Sequence, residues 1–558
     1  MFEHSSPGVY SAEYDRATQV KVITGGAVTM CVPLPRGPVG KNVSLYGDPD
    51  IERIIGKPTG IYKDYVNYIK ILAQKARVVN VTRVALDALS AGVYVTSFNN
   101  FSTTRKLSAG FSDVDTVQMT NKDIMFIYAA FEGAWANDVY ITIEPDLRDV
   151  EGVRFKLKVY EGNNKTPTET HVCTTFYKVT DSGDQLFVED VVNEQSNLIR
   201  VKFNHDHYKI LTDASAYVVN AICGGPFDAN NPTLTNGQLN GGSDGQLIDM
   251  RNGDINIRNA SIAAIVEAWD VYRDWERVYT GILCDAGMSD PVIANKLDEL
   301  AMSRQDSIVT SGIPPTLQAR DSAVAYRRGD KKYNDSYFGL SSSWSTLCSS
   351  DVQARDTVNS RWYWVPASVC LAYCMLTADQ VAQWLAPAGM TRGVLPFATD
   401  VRVRYDLPDR DVLVDNHINP IAVFEGEGIF VWGADTTYAV KSPLNDIGVR
   451  RLLSMLHAVV RVNNLPAVFE PNDDILRSNQ KESLEEVLRP IRAGRGLDWY
   501  AVICDDTNNP ADVEANGDLI VDVFLDPTRY TKRIHINATV PRVGEIEFAL
   551  SLIDRTNS

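Results

Sequence analysis

Between Ile262 and Val309 the chain changes its apolar period three times. Ile262 to Trp275 reads as a helix, Val278 to Cys284 as a buried strand, Pro291 to Met302 as a second helix, and Ile308 and Val309 open another strand. Strands that alternate with helices in this way lie mostly parallel, with helices packed on the sheet. The same alternation occurs near the start, where Tyr62 to Ala76 places Tyr65, Tyr68 or Ile69, and Leu72 on one side of a helix. A buried strand follows from Ala76 to Val84. It recurs later, in the helical Ala372 to Leu385 and the strand Ile429 to Trp432.

Two regions depart from that texture. Ser90 to Ser112 is rich in Ser, Thr, Asn and Gly and reads as a boundary. Beyond it Val139 to Ile143, Phe155 to Tyr160, Thr174 to Val179 and Ile199 to Phe203 are short strand-like runs. Polar turns between them predict an all-β insertion, a sandwich. Asn230 to Gly245 is a Gly/Asn loop. The second region is Ser442 to Asn537. Val449, Leu452, Leu453, Leu456, Val459 and Val460 recur at helical spacing. A second helix is predicted from Lys481 to about Leu488, then strands at Trp499 to Cys504, Leu519 to Phe524 and Lys532 to Val540.

The 558 residues allow three or four domains. Hydrophobic residues make up 44% and charged residues 22%, as in a globular protein with several cores. The net charge of −17 argues against nucleic acid as the main partner, because phosphate binding needs clustered cations. No run is long and apolar enough to span a membrane, and Met1 to Asp15 has no secretory pattern. A cytoplasmic site of synthesis is therefore expected.

Chemistry is sparse. There is no GxxxxGK[ST] loop, no HExxH helix and no GxSxG elbow. The glycine-rich GGSDG after Asn240 follows a loop rather than a strand. His205 and His207 flank Asp206 and have the spacing of a metal pair on one strand face, but they read first as an exposed polar turn after the strand Val201 to Phe203. Cys370 and Cys374, one helical turn apart, allow pairing or a metal, although no second close pair accompanies them. Asp473, Asp474, Asp505 and Asp506 read as turn caps, and Asp270 and Asp274 as a solvated helix face. Trp362, Tyr363 and Trp364 read as core or interface anchors. No cofactor is expected.

Several motifs occur in one order along the chain: PGVY at Pro7 to Tyr10 followed by Glu13, RGP at Arg36, FEGAWANDVYITI around Trp135 and Asn137, and QWLAPAG at Gln383. Next come HINPIAVFEGEGIFVWGADTT from His417, VRRLL at Val449, FEPND at Phe469 and TNNPADVEANGDLIVDVFLDP from Thr507. In these the chain resembles the tail sheath proteins of contractile-tailed, myovirus-type bacteriophages. It departs from them at Val369, where glycine is usual, at Asp435, where arginine is frequent, and at Pro490, which predicts a kink or stop in a helix.

The resemblance implies a multidomain α/β fold. A linking arm at 1–20 is followed by the first part of the α/β core at 21–95. An outward-facing β-sandwich insertion occupies 96–210 and a subtilisin-like middle domain 211–440. A tube-proximal α/β domain at 441–540 and a second linking arm at 541–558 complete it. It also implies no enzyme: the middle region offers only His417, and no serine-bearing helix start of the protease type. The expected function is a virion subunit, made in the host cytoplasm, that stacks as hexameric rings around a tail tube and contracts. Its partners would be copies of itself, the tube protein, and baseplate and tail-terminator proteins, with no nucleic acid or membrane contact. The alternatives are the sheath of a phage-derived bacteriocin or injection particle, and a divergent hydrolase.

Arms that add strands to neighbours are implied at both ends. Gly8, Val9, Tyr10 and Glu13 form one. At the other, Ile534 and Ile536 form the root, and Ile546, Phe548, Leu550 and Leu552 alternate with polar or small residues. Arg450, Arg451 and Arg461 with Lys481, Arg489, Arg492 and Arg495 make a local basic set, expected either to dock on the tube or to serve as solvated and ion-paired helix faces.

Overall fold

A computed structural model describes residues 25–96, 105–107, 109–120, 123–146, 154–162, 164–175, 177, 185–205, 237–329, 338–530 and 532. The described chain begins with β1 (Ala27–Val32), β2 (Asn42–Leu45), α1 (Lys63–Ala73) and β3 (Val78–Arg83). β1 is a run of apolar and β-branched residues, and β3 is largely one apart from Asn80 and Arg83; both are buried along nearly their whole length. Such runs suit strands covered on two faces.

The chain then leaves this sheet through β4 (Gly92–Thr96), β5 (Arg105–Lys106), β6 (Asp123–Ala129), β7 (Val139–Pro145), β8 (Phe155–Glu161) and β9 (Glu169–Cys173). Helix α2 (Val188–Gln195) and β10 (Ile199–Phe203) follow. These strands make two antiparallel sheets, ordered β10-β6-β4-β5 and β7-β8-β9. Val93, Ile127, Ile141 and Leu157 meet in one apolar core, to which α2 adds Val188, Val191 and Val192. The insertion is therefore α+β rather than all-β. Its third predicted strand also sits earlier, at Glu169–Cys173, because alternating burial there points His171 and Cys173 inward.

From α3 (Ile255–Ala268) the alternation resumes with β11 (Ile282–Cys284), α4 (Pro291–Arg304), β12 (Ile308–Gly312), α5 (Arg320–Arg328) and β13 (Ser345–Ser349). Asp290 starts α4 by accepting a hydrogen bond from Val292 N, Pro291 fits its first turn, and Gln305 at φ 63° ends it. After β14 (Val352–Asp356) and β15 (Arg361–Val365) comes α6 (Ala367–Asp379), then β16 (Asp400–Val401), α7 (Leu407–Asp415), β17 (Asn419–Phe424) and β18 (Gly428–Val431). Pro366 fixes the extended residue from which α6 starts, five residues before the predicted helix, and the chain turns at Gln380 instead of continuing to Leu385.

An eight-stranded sheet ordered β18-β17-β13-β12-β11-β1-β3-β2 forms the centre. From β17 to β3 every neighbouring pair is parallel, and only the edges β18 and β2 run antiparallel. Helix α6, buried almost all round, packs on this sheet. Its Cys370 and Cys374 are free thiols whose pKa values burial pushes up.

The last part of the described chain holds α8 (Ile447–Asn464), α9 (Asp474–Ala493), β19 (Leu497–Ile503) and β20 (Asp522–Pro527). Leu452, Leu456 and Val459 of α8 meet Leu484, Leu488 and Ile491 of α9 over Leu497 and Val502 of β19. Helix α9 is much longer than its predicted core and does not stop at Pro490; it runs on to Ala493. Proline this close to a C-terminus loses a single backbone bond. Ile491 anchors the last turn, and Gly494 N and Gly496 N bond to Pro490 O and Ile491 O. Of the predicted third strand only Lys532 lies within the described residues.

Candidate assembly site

The carboxyl end of the parallel sheet is where an α/β fold usually places a ligand. There Asp285, just after β11, accepts hydrogen bonds from Gly287 N and Gly312 N, both at 2.9 Å. A polar cavity of about 160 Å³ lies nearby, lined by Tyr65, Arg251, Ser289, Asp351 and Arg402 among others. None of the described histidines lines it. His417 sits instead on the turn between α7 and β17 at φ 58°, with Asp435 and Lys532 as charged neighbours. No Ser–His–Asp constellation is formed around this cavity among the described residues. His205 is exposed beside Glu189, His207 lies outside the described residues, and no described cluster of ligating side chains is suited to a metal ion.

Burial pushes the Asp285 carboxyl up to about 6. An acid whose folded pKa is raised favours the folded state below its ordinary pKa, and that contribution fades as pH rises through 6. Folding stability is expected to fall by about 1 kcal/mol between pH 5 and pH 7 from this group. Denaturant titrations of the protein and of Asp285→Asn check it: the variant should lose that part of the slope.

The basic set of the last two helices divides sharply. Arg450 and Arg451 are only 5% and 4% exposed. Arg451 pairs with Asp379 at the end of α6 and reaches Met375 O. Arg450 lies over the Trp344 ring at 3.5 Å, and desolvation lowers its pKa to about 10. Arg461 bonds to Arg304 O and to Gln305 Oε1 and lies over Trp275. The docking expectation is corrected for Arg450 and Arg451, because both are enclosed within their own chain. Lys481 is half-buried, whereas Arg489, Arg492 and Arg495 are exposed, with no ion-pair partner among the described residues.

Two residues are central to this region: Arg477, which had no sequence signal of its own, and Trp384, which belongs to the QWLAPAG motif. Arg477, buried in α9, reaches Asn472, Asp506 and Glu514, so it ties the helix to the connection between β19 and β20. Trp384 donates from Nε1 to Gly494 O and packs against Gly496. Other motif residues are joints of the same kind. Asn137 exchanges hydrogen bonds with the backbone of Gly242. Asn419 holds both backbone groups of Asp435. Asp473 caps α9 through Leu476 N. The GGSDG segment is a seam: a Cβ on Gly245, at φ 75°, would lie 1.8 Å from Leu86 O.

Strands β19 and β20 pair only with each other among the described residues. Leu497 and Val502 face the helices, while Trp499 and Phe524 are each 52% exposed. An isolated two-stranded sheet is marginal, and its outer edges present unpaired backbone groups. The arm residues Gly8, Val9, Tyr10, Glu13, Ile534, Ile536, Ile546, Phe548, Leu550 and Leu552 lie outside the described residues.

No protein-family model matches the chain. Single proteins do. The tail sheath protein of Enterobacteria phage T4 is 27% identical over 302 residues, covering 51% of this chain and 46% of that protein. That of Vibrio phage KVP40 is 28% identical over 287 residues, covering 48% and 43%. That of Salmonella phage ViI is 23% identical over 374 residues, covering 66% and 51%. The chain is homologous to phage tail sheath proteins. It spans about half the length of the sheath relatives it matches. The mixed α/β fold, with several sheets, is that of a sheath protein. The crystal structure of the sheath tail protein Lin1278 from Listeria innocua superimposes with a TM-score of 0.54 at 11% identity, over 90% of this chain and 95% of that one.

Proposed function

We propose that the chain is a structural subunit of a contractile tail sheath, polymerising as stacked rings around a tail tube and contracting to drive the tube through a host envelope. The observation that carries this reading is the open two-stranded sheet β19–β20 with Trp499 and Phe524 on its outward face. Strands from neighbouring copies complete such a sheet. At roughly 0.5–1.5 kcal/mol per backbone bond, a five-bond strand contributes about 3–8 kcal/mol. Links of this size at every subunit keep the lattice connected while the bodies rotate. The two terminal segments supply the strands.

The middle part, with its parallel sheet and buried α6, is subtilisin-like in layout and serves as the structural body of the subunit. The insertion faces outward, and the last two helices face the tube. Arg489, Arg492 and Arg495, with Lys481, form the tube-facing set, and baseplate and tail-terminator proteins bind the ends of the stack. The assembled subunit resides in the virion. Contraction draws on contacts between bodies in the compact state, so no nucleotide is needed. Electron microscopy of the purified full-length chain at high concentration tests the reading. Tubular polymers are expected; a chain that stays monomeric under all such conditions overturns it.

A further inference from the structure

The last described residues are held to the body at two points. Gly448 lies in the first turn of α8, and a Cβ there would fall 1.4 Å from Tyr530 Oη. The missing side chain is the space the tyrosine hydroxyl occupies, and from there Oη donates to Trp384 O at 3.0 Å. Two residues further on, Lys532 Nζ lies 2.7 Å from Asp435 Oδ1 and 2.6 Å from Asp446 Oδ1. Both carboxylates are largely buried, at 14% and 12% side-chain exposure. Asp446 occupies the N-cap of α8 but makes no side-chain cap bond. An aspartate at that position normally accepts from the helix's own first turn. This one pairs with Lys532 instead.

The attachment continues inward. One turn along α8, Arg451 pairs with Asp379 of α6, and α6 packs on the central sheet. We infer that Tyr530 and Lys532 form a fastening that holds the chain following β20 to the N-terminal end of α8. The fastening stands on intramolecular geometry. Its mechanical use rests on the proposed function: a pull on the segment by a neighbouring subunit would reach α8, α6 and the sheet rather than peel β20 from β19. Asp435 is then a positioning residue, and its charge matches the lysine that follows the last described strand.

The test is labelling of lysines in the full-length chain with an amine-reactive acyl probe, read residue by residue by mass spectrometry. Only the neutral amine reacts, so a lysine held by two carboxylates labels slowly. In the Asp435→Asn, Asp446→Asn double variant, Lys532 is expected to label about fivefold faster, with the other lysines as internal standards. Tyr530→Ala should give the same direction with the carboxylates intact. A Lys532 rate unchanged in both variants overturns the fastening. Polymer formation is scored separately. A chain that protects Lys532 yet forms no tubes keeps the fastening and counts against the proposed function alone.

Discussion

Deleting residues 541–558 is expected to leave a chain with an unchanged melting temperature that no longer forms tubes. Among the described residues the core clusters draw on nothing beyond Leu525, and the fastening uses residues up to Lys532. The polymer, by contrast, depends on the deleted residues, because Ile546, Phe548, Leu550 and Leu552 are the strand that a neighbour would receive. Losing about 3–8 kcal/mol from every subunit contact lowers each association constant by two to six powers of ten. Sedimentation and electron microscopy of the shortened chain, beside its melting curve, check both halves. Tubes formed by the shortened chain at the same concentration as by the full chain would exclude the segment as the link.

The second large effect concerns stability. Arg451→Ala leaves Asp379 buried without its counter-ion, and breaking a buried pair from one side costs about 3–5 kcal/mol. The loss should appear as a lower unfolding midpoint for the part containing α8, with near-normal circular dichroism at low temperature. Replacing both partners, Arg451→Met with Asp379→Leu, should recover most of it, since an apolar pair of similar volume needs no desolvation of charge. A single variant as stable as the parent would show that the pair contributes nothing net. Charge reversal at Arg451 would act through the same buried contact and says little about a tube.

These two residues mark the limit of what the sequence discloses. The apolar stripe of α8 was legible because six residues recur at helical spacing, and the structure shows that helix. The burial of Arg450 and Arg451 was not legible. Their partners, Trp344 and Asp379, are remote in sequence, and a helix enclosed on two sides has little solvated face for its charges. Helix α9 was read too short because its first turns carry mostly polar residues, with the buried Leu484, Leu488 and Ile491 near its end. Strand β6 went unread because IMFIYA is a continuous apolar run, which periodicity alone assigns to neither helix nor strand. The parallel arrangement was legible from alternation, but the order of strands was not, since periodicity carries no pairing information.

That order bears on how the chain is made. Val28 pairs with Ile282 at the middle of the central sheet, so strands from the start of the chain wait for partners far downstream. Residues 84–281 take roughly 10–40 s to synthesise. During that interval β1 and β3 are together with β2 alone, while the insertion, whose described core draws on residues 91–239, can close on itself first. The central sheet therefore lacks its full set of strands until β18 has been made. Of the two segments proposed to join the subunit to its neighbours, the N-terminal one is made before the sheet and the C-terminal one only after β20.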